Sequence, residues 1–243
     1  MRYELTLRAA RTRYGRAVQR RWARYVGHDD RASWNVSDYL TKFAPDRSVA
    51  DIGGMWGIDG EYSFLAADLG ARSVVCLDTY ATEEFERKLA GPRGEHVRFV
   101  SGDATTQTAV DAVGSAELVL CLGVLYHVPS PALLISRLRQ MCTQTLILET
   151  LTTPEVPGVP QAGVYLPGLS PRQRSWWNTA RAGGTAGYGI GSDFEPEKDY
   201  ANNFWALSPS CISGLLRSHG FRVESASPSP SGVLRHIFVA HVS

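Results

Sequence analysis

From Ser48 onward the sequence alternates short apolar runs with helix-like or loop segments, and this alternation constrains the fold more than any other feature. The runs are rich in Val, Leu and Ile and show no polar alternation, which indicates strands buried on both faces. Such strands predict a parallel sheet covered by helices on both sides, an α/β doubly wound, Rossmann-like fold. The predicted strands are 48–52, 73–77, 97–100, 117–122 and 145–149, followed by a closing pair at 222–225 and 237–241.

The points at which this alternation begins, stops and resumes divide the chain into four segments. Residues 1–44 form a basic N-terminal helical segment, and residues 45–151 form the core sheet with its helices. Residues 152–205 break the pattern, since fourteen of the residues from 152 to 200 are Gly or Pro, and the tryptophans among them argue against disorder. We therefore predict an inserted cap there. Residues 206–243 complete the core with a helix over 208–218 and the closing strand pair.

Charge is balanced overall but unevenly distributed. The chain of 243 residues has 25 Lys and Arg against 24 Asp and Glu, a net charge of +1, which removes any general argument for a polyanionic partner. The basic residues nevertheless concentrate in the first segment, where a row of arginines follows one face of the helix predicted over 3–26. We favour a solvated helix face, and a phosphate-binding or RNA-binding patch and a mitochondrial transit peptide remain alternatives.

Cysteine usage and hydropathy predict a cytoplasmic protein. Cys76, Cys121, Cys142 and Cys211 form no C-x-x-C pair, so we expect buried thiols in a reducing compartment and no zinc or other metal site. No apolar run approaches the roughly 20 residues that span a bilayer, and the N-terminus lacks the apolar region of a signal peptide. We expect no membrane partner.

A glycine-rich loop follows the first predicted strand, in the stretch Val49-Ala50-Asp51-Ile52-Gly53-Gly54-Met55-Trp56-Gly57. Its glycines let a ligand lie against bare backbone. Asp78 ends the second strand, where a carboxylate accepts hydrogen bonds from both hydroxyls of a ribose. Asp103 follows the third strand and is placed to accept from an adenine amino group. Three acids at consecutive strand ends predict a nucleoside-containing ligand.

Two other nucleotide-binding motifs fit poorly. The dinucleotide fingerprint G-x-G-x-x-G, begun at Gly53, requires a glycine where Met55 stands, which argues against NAD. The phosphate-binding motif G-x-x-x-x-G-K-[ST] does not occur in the sequence.

These motifs resemble those of class I S-adenosylmethionine-dependent methyltransferases, over about residues 45–150 and in outline to the C-terminus. The resemblance implies a seven-stranded sheet whose last strand is antiparallel, with S-adenosylmethionine as cofactor. It assigns methionine binding to Asp51 and Gly53, the ribose to Asp78 and the adenine to Asp103. We place Gly54, Gly57, Ala104 and Gly123 in the same cofactor site. Leu122-Gly123-Val124-Leu125-Tyr126-His127, followed by Pro129-Ser130-Pro131, resembles the branch that includes wobble-uridine tRNA modifiers and natural-product methyltransferases.

The loop departs from the family pattern at one position and in its length. Met55 stands at a usual glycine position, and the stretch from Asp51 to Ser63 is about three residues longer than is typical of the family. Gly57 and Gly60 are candidates to supply the missing flexibility, and Asp59 is a candidate cap for the following helix.

Methyl transfer to an alcohol requires alignment of two reactants, exclusion of water and removal of a proton. His127 lies just past the fourth strand and is our first candidate for the base, with a role in shaping the turn as its alternative. Glu149, at the end of the fifth strand, is the second candidate. The substrate-binding candidates are aromatic: Tyr126, Trp176, Trp177 and Trp205.

The sequence therefore predicts an enzyme that methylates a hydroxyl or amine of a small polar metabolite in specialised biosynthesis. One alternative is a wobble-uridine-type RNA modifier whose N-terminal helix contacts phosphates, although acidic residues predominate after residue 43. Another alternative is a non-catalytic protein that binds S-adenosylmethionine, which the altered glycine loop permits.

Overall fold

The computed structural model describes residues 35–156, 158–170, 172–173, 203–230 and 235–243. Seven strands form one sheet: β1 Ser48–Ile52, β2 Ser73–Asp78, β3 Val97–Ser101, β4 Ala116–Leu122, β5 Cys142–Leu151, β8 Phe221–Pro228 and β9 Arg235–Val242. Two further strands, β6 Gly163–Tyr165 and β7 Trp205–Leu207, form a separate antiparallel pair. The N-terminal helix predicted over 3–26 lies outside the described residues.

The strand order of the large sheet is β3-β2-β1-β4-β5-β9-β8. The strands β1 to β5 are parallel, whereas β9 runs antiparallel to both β5 and β8. The predicted seven-stranded sheet with an antiparallel last strand is confirmed. The order reverses between β1 and β4, and ligands bind open sheets of this kind at the carboxyl ends of the strands that flank such a reversal.

Helices cover both faces of the sheet. They are α1 Val36–Phe43, α2 Glu61–Asp68, α3 Glu83–Leu89, α4 Gln107–Val113, α5 Pro131–Met141 and α6 Pro209–Ser218. Apolar side chains of α1, α2 and α3 join one buried cluster, and those of α4, α5 and α6 join another. The sheet lies between the two clusters, which explains why its strands lack polar alternation.

Local sequence signals set most helix starts. Side-chain oxygens of Asn35, Thr82, Thr106, Ser130 and Ser208 accept backbone N–H groups in the first turns of their helices. These bonds satisfy amides that the helix itself leaves unpaired. The exception is α2, which begins after Gly60 in the left-handed conformation with no side-chain cap. The predicted capping role of Asp59 is wrong, because its carboxylate accepts from Thr82 Oγ1 instead, at 2.9 Å.

The described ends of the predicted cap contact the core, and the sequence patterns did not predict the strands β6 and β7. Glu155 is buried and accepts from the amide and the hydroxyl of Ser210, which fixes the segment to the start of α6. The amide of Phe204 donates to the carbonyl of Tyr126 at 2.7 Å, so the segment returns beside the turn that follows β4. None of the helices in the described ranges is both long and apolar enough to span a membrane.

Candidate active site

Asp51, Asp78 and Asp103 lie along the carboxyl edge of the sheet. Asp51 is the penultimate residue of β1, Asp78 is the last residue of β2, and Asp103 comes two residues after β3. The pairing of Ile52 with Leu77 and of Asp78 with Ser101 aligns these strand ends. The predicted convergence of the three acids on one edge is therefore present in the structure.

Asp51 lies beneath the glycine-rich loop and has almost no exposed surface. Its Oδ2 accepts a hydrogen bond from Ser63 Oγ of α2 at 2.7 Å. Burial raises the pKa of Asp51 from its ordinary 3.8 to about 6, the Ser63 bond opposes this, and the nearby charge of Asp78 adds to it. Asp51 therefore supports the loop from beneath Gly54, with its carboxylate held by Ser63.

The glycines of the loop are required by close packing as well as by conformation. Gly53 has a φ of +80°, and a Cβ there would lie 2.2 Å from Cγ2 of Val124. A Cβ on Gly54 would lie 2.9 Å from Oδ2 of Asp51. These two residues bring the loop against the turn that follows β4 and over the buried carboxylate, where a side chain has no room.

Met55, which replaces a glycine of the family pattern, points into the protein. Its side chain is fully buried in the cluster that contains Phe64 and Phe85. Its amide donates to Oδ2 of Asp78 at 3.0 Å, and its carbonyl accepts from the amide of Asp59. The additional residues thus fold into a turn closed by the bond from the Gly60 amide to the Gly54 carbonyl, at 2.8 Å.

The turn leaves a cradle of backbone at its outer side. Gly57 has a φ of +75°, and a Cβ there would meet no atom within 4 Å. Within the described part of the chain, the amides of Trp56 and Gly57 donate no hydrogen bond. Trp56 and Gly57 are both exposed, and two N–H groups on an exposed turn suit a carboxylate, which accepts hydrogen bonds from backbone amides.

Asp78 retains capacity for a ligand although it also holds the loop. Its Oδ2 accepts from Met55, and its Oδ1 accepts from the amide of Thr79 at 2.7 Å and from the Thr79 hydroxyl at 3.3 Å. A carboxylate offers about four lone-pair sites, and the long Thr79 hydroxyl bond is the one most easily exchanged. The side chain fits the predicted ribose role.

Asp103 organises the turn after β3. Its Oδ1 accepts from the amide and the hydroxyl of Thr105, both at 2.8 Å. Its Oδ2 accepts no hydrogen bond from the described residues, and the side chain is exposed. This oxygen fits the predicted adenine contact, and Ala104 follows it at the same edge.

The turn after β4 brings together Gly123, Tyr126 and His127. Residues Leu125–His127 form a short 3-10 helix, and Gly123 has a φ of +79°. The half-buried His127 ring packs against Tyr126, with ring centroids 4.1 Å apart, and against Trp56 of the glycine-rich loop, with centroids 5.9 Å apart. Trp56 is 66% exposed. The candidate base thus lies directly beside the loop predicted to hold the cofactor.

Glu149 is buried and takes part in a polar cluster at the end of β5. It accepts from Ser229 Oγ and from Arg235 Nη2, the latter at 3.3 Å. Arg235 also donates to the Tyr126 hydroxyl at 3.4 Å. Burial raises the pKa of Tyr62 at the start of α2, and the charges of Glu149 and Asp51 raise it further.

The aromatic candidates for the substrate are only partly described. Trp205 begins β7, donates from Nε1 to the carbonyl of Pro129 at 2.9 Å, and packs on Tyr165 with ring centroids 4.9 Å apart. It therefore borders the turn that carries His127. Trp176 and Trp177 lie outside the described residues.

Sequence reasoning missed three members of the site, namely Trp56, Tyr62 and Arg235. Trp56 stands within the glycine-rich motif, so an exposed aromatic in a ligand loop was the available signal. Tyr62 comes directly after that loop, at the start of α2. Arg235 carried no signal, because its place beside Tyr126 arises only from pairing of β9 with β5.

Other features lie apart from this edge. A cavity of about 460 Å³ opens at the opposite edge, lined by residues at the beginnings of β1, β2 and β3. Cys76, Cys121 and Cys142 are buried, as predicted, whereas the prediction is wrong for Cys211, which is only half-buried because it faces outward near the start of α6; burial raises the pKa of all four thiols. In the described ranges, no group of three or more His, Cys, Asp or Glu side chains is arranged to hold a metal ion.

Comparison with solved structures identifies the fold. An O-methyltransferase family protein from Burkholderia thailandensis matches with a TM-score of 0.58 and 14% identity, over 85% of this chain and 55% of that chain. The N-terminal domain of EvdMO1, solved with SAH and D-fucose, matches at 0.55 and 16%, over 94% and 97%. Magnesium protoporphyrin IX methyltransferase from Synechocystis, solved with bound SAH, matches at 0.55 and 19%, over 92% and 93%.

These likenesses show that the chain has the class I S-adenosylmethionine-dependent methyltransferase fold. The chain spans about half the length of the Burkholderia protein. No protein-family model and no curated protein sequence matches the chain.

Proposed function

We propose that this protein is an S-adenosylmethionine-dependent methyltransferase that acts on a hydroxyl or amine of a small polar metabolite in specialised biosynthesis. The observation that carries the proposal is the arrangement of Asp51, Asp78 and Asp103 along one sheet edge around an open glycine cradle. The structural neighbours support it, because the Burkholderia and Synechocystis proteins are named as methyltransferases, and EvdMO1 and the Synechocystis enzyme were solved with SAH.

Each part of the cofactor has a matching group at this edge. The amides of Trp56 and Gly57 suit the methionine carboxylate, and the negative charges of Asp51 and Asp78 favour its ammonium group. Asp78 suits the ribose hydroxyls, and Oδ2 of Asp103 suits the adenine amino group. When bound, S-adenosylmethionine supplies a methyl group on a positively charged sulfur.

The chain's own residues orient the acceptor and manage its proton. His127 is the base we favour, because it lies half-buried between Trp56 and Tyr126 beside the cradle. It accepts the proton that a hydroxyl acceptor loses. Glu149 is less suited to this role, since its carboxylate already accepts from Ser229 and Arg235. Trp56, Tyr126 and Trp205 offer flat apolar surfaces that exclude water from the reacting atoms.

Titration of the full-length protein with S-adenosylmethionine and S-adenosylhomocysteine tests the proposal. We expect both ligands to raise the Tm, since ligand at 100 times its Kd stabilises a protein by about 2.7 kcal/mol. Asp78→Asn weakens binding of both, whereas Asp111→Asn, on the exposed side of α4, leaves it unchanged. Absence of any shift with either ligand would overturn the proposed function.

The substrate class requires a second assay. Release of S-adenosylhomocysteine is measured with a panel of small hydroxyl and amine compounds, including sugars and phenols. Turnover with members of this panel, and none with bulk tRNA, is the expected result. Binding of the cofactor without turnover on either would instead favour a non-catalytic binding protein.

A further inference from the structure

An arginine occupies an unexpected place beside the proposed methyl-transfer site. Nη2 of Arg235 lies 3.1 Å from the position that a Cβ on Gly123 would take, and its guanidinium lies over the Tyr126 ring at 5.4 Å from the centroid. Gly123 follows β4, the strand that borders the reversal of strand order. A guanidinium at this position repels a positively charged sulfur unless a negative group offsets it.

Glu149 supplies that negative group. Its Oε2 lies 3.3 Å from Nη2 of Arg235, and the two side chains are only 9% and 17% exposed. Burial makes the interaction stronger than at the surface, where water and salt screen charges. Glu149 also lies beside Gly123, because its backbone carbonyl accepts a hydrogen bond from the Gly123 amide at 2.9 Å. Both members of the pair therefore act on the same region.

On the basis of the proposed function, we propose that the Arg235–Glu149 pair sets how strongly the site discriminates the cationic S-adenosylmethionine from the neutral S-adenosylhomocysteine. The two ligands differ by one positive charge at the sulfur. Any charge near that atom changes the affinity for the first and leaves the second almost unaffected. The pair adds no net charge of its own at this place, so the effects of Arg235 and Glu149 on the affinity for the positively charged sulfur offset each other.

Single substitutions of the pair have opposite predicted signs. Arg235→Gln removes the positive charge that offsets Glu149. The affinity for S-adenosylmethionine should therefore rise relative to the affinity for S-adenosylhomocysteine, on the order of three- to tenfold. Glu149→Gln removes the negative charge that offsets Arg235. It should lower the affinity for S-adenosylmethionine relative to the affinity for S-adenosylhomocysteine by a similar factor. The double variant, Glu149→Gln with Arg235→Gln, returns the ratio to within about twofold of wild type.

Isothermal titration calorimetry at low ionic strength measures both Kd values for the full-length chain. Arg72→Gln is the matched control, since Arg72 pairs with Glu117 at the amino edge of the sheet and should leave the ratio unchanged. Ser229→Ala removes a hydrogen bond to Glu149 without changing charge, and it should also preserve the ratio. Sinefungin, which carries an amine near the position of the sulfur, serves as a second cationic ligand and should follow S-adenosylmethionine.

The outcomes distinguish failure of the charge pair from failure of the proposed function. If wild type binds neither ligand, the proposed function fails. If wild type binds both and the two single variants change both Kd values equally, the role of the charge pair fails while the function stands. Removing one partner of a buried pair can prevent folding, which loss of far-UV circular dichroism reveals. The double variant leaves no buried charge unpaired, so it is then the variant to measure, and a ratio that departs from wild type by more than about twofold would overturn the proposal.

Discussion

Individual side chains at the carboxyl edge combine structural and chemical roles. Asp78 accepts a hydrogen bond from the Met55 amide and lies beside the cradle, and Asp51 packs directly beneath Gly54. Each therefore shapes the loop that it is also proposed to serve. Because substitutions at these positions affect stability and binding together, the Tm and the Kd of each variant have to be measured side by side.

Asp51 should make the protein less stable as pH rises. Its pKa is about 6 when folded and near 3.8 when unfolded, so the folded state holds the proton more tightly. The stability contributed by the protonated group is fully present below pH 3.8 and is lost as pH rises through 6. Asp51→Asn, whose amide oxygen still accepts from Ser63, should remove this dependence.

Urea unfolding of both proteins between pH 4 and pH 8 measures the effect. The free energy of unfolding of Asp51→Asn relative to wild type should rise across this range by up to about 3 kcal/mol. A difference that stays constant with pH would show that Asp51 titrates normally in the folded protein. Asp111→Asn, on the exposed side of α4, is the control.

His127→Ala should reduce turnover by about 10² to 10⁴-fold, the usual contribution of a general base, with a small change in the Kd for S-adenosylmethionine. The rate of S-adenosylhomocysteine release with an active acceptor measures this. His219→Ala is the control, since that histidine lies at the end of α6 and bonds the Leu215 carbonyl. An unchanged rate would exclude His127 as the base, and Glu149→Gln would then be measured in the same assay.

At the scale of elements, the glycine-rich loop is held by steric fit against the turn that follows β4 and against α3. Gly53 lies against Val124 of that turn, and Gly60 lies against the Phe85 ring of α3, where a Cβ would come within 2.3 Å of a ring carbon. Neither contact leaves room for a side chain on the glycine. The shape of the loop depends on neighbours distant in sequence.

Gly53→Ala should lower the Tm through two separable causes. One is the positive φ, which costs alanine about 1 kcal/mol, and the other is the clash with Cγ2 of Val124. Adding Val124→Ala removes the clash but not the conformational cost. The Tm of the double variant should therefore fall by less than the sum of the falls in the two single variants. Thermal unfolding of all four proteins measures this coupling. Strict additivity would show that the contact is unimportant.

At the scale of the whole molecule, charge distribution separates the leading function from its RNA alternative. Residues 1–43 carry ten basic and four acidic side chains, and the remaining 200 carry fifteen basic and twenty acidic ones. Binding to phosphates would have to come mainly from the first segment, which lies largely outside the described residues.

We expect the full-length protein to bind bulk tRNA weakly at physiological salt. Fluorescence anisotropy across a salt series measures this, since each phosphate contact contributes about −0.9 to the slope of log K against log salt on duplexes and about −0.7 on single strands. A steep slope with tight binding would favour the RNA-modifying alternative over a small-molecule acceptor. Heparin competes for any general basic surface and is the control.

The sequence by itself determined the sheet and the positions of its acids. Continuous apolar runs fix buried parallel strands, and Asp51, Asp78 and Asp103 follow from being at or just past the ends of those runs, because parallel strands place their carboxyl ends at one edge. Helix starts were equally local, since Ser208 and Pro209 signal α6 without reference to the rest of the chain.

Only the tertiary structure decided which distant groups share the site. Arg235 reaches Glu149 through antiparallel pairing of β9 with β5, and Trp56 reaches His127 through a turn closed by the bond from the Gly60 amide to the Gly54 carbonyl. Contacts of this kind have no periodicity or spacing in the sequence, because they depend on strand order and loop packing. The physical reason is that local patterns specify which residues are buried, whereas long-range pairing specifies which of them meet.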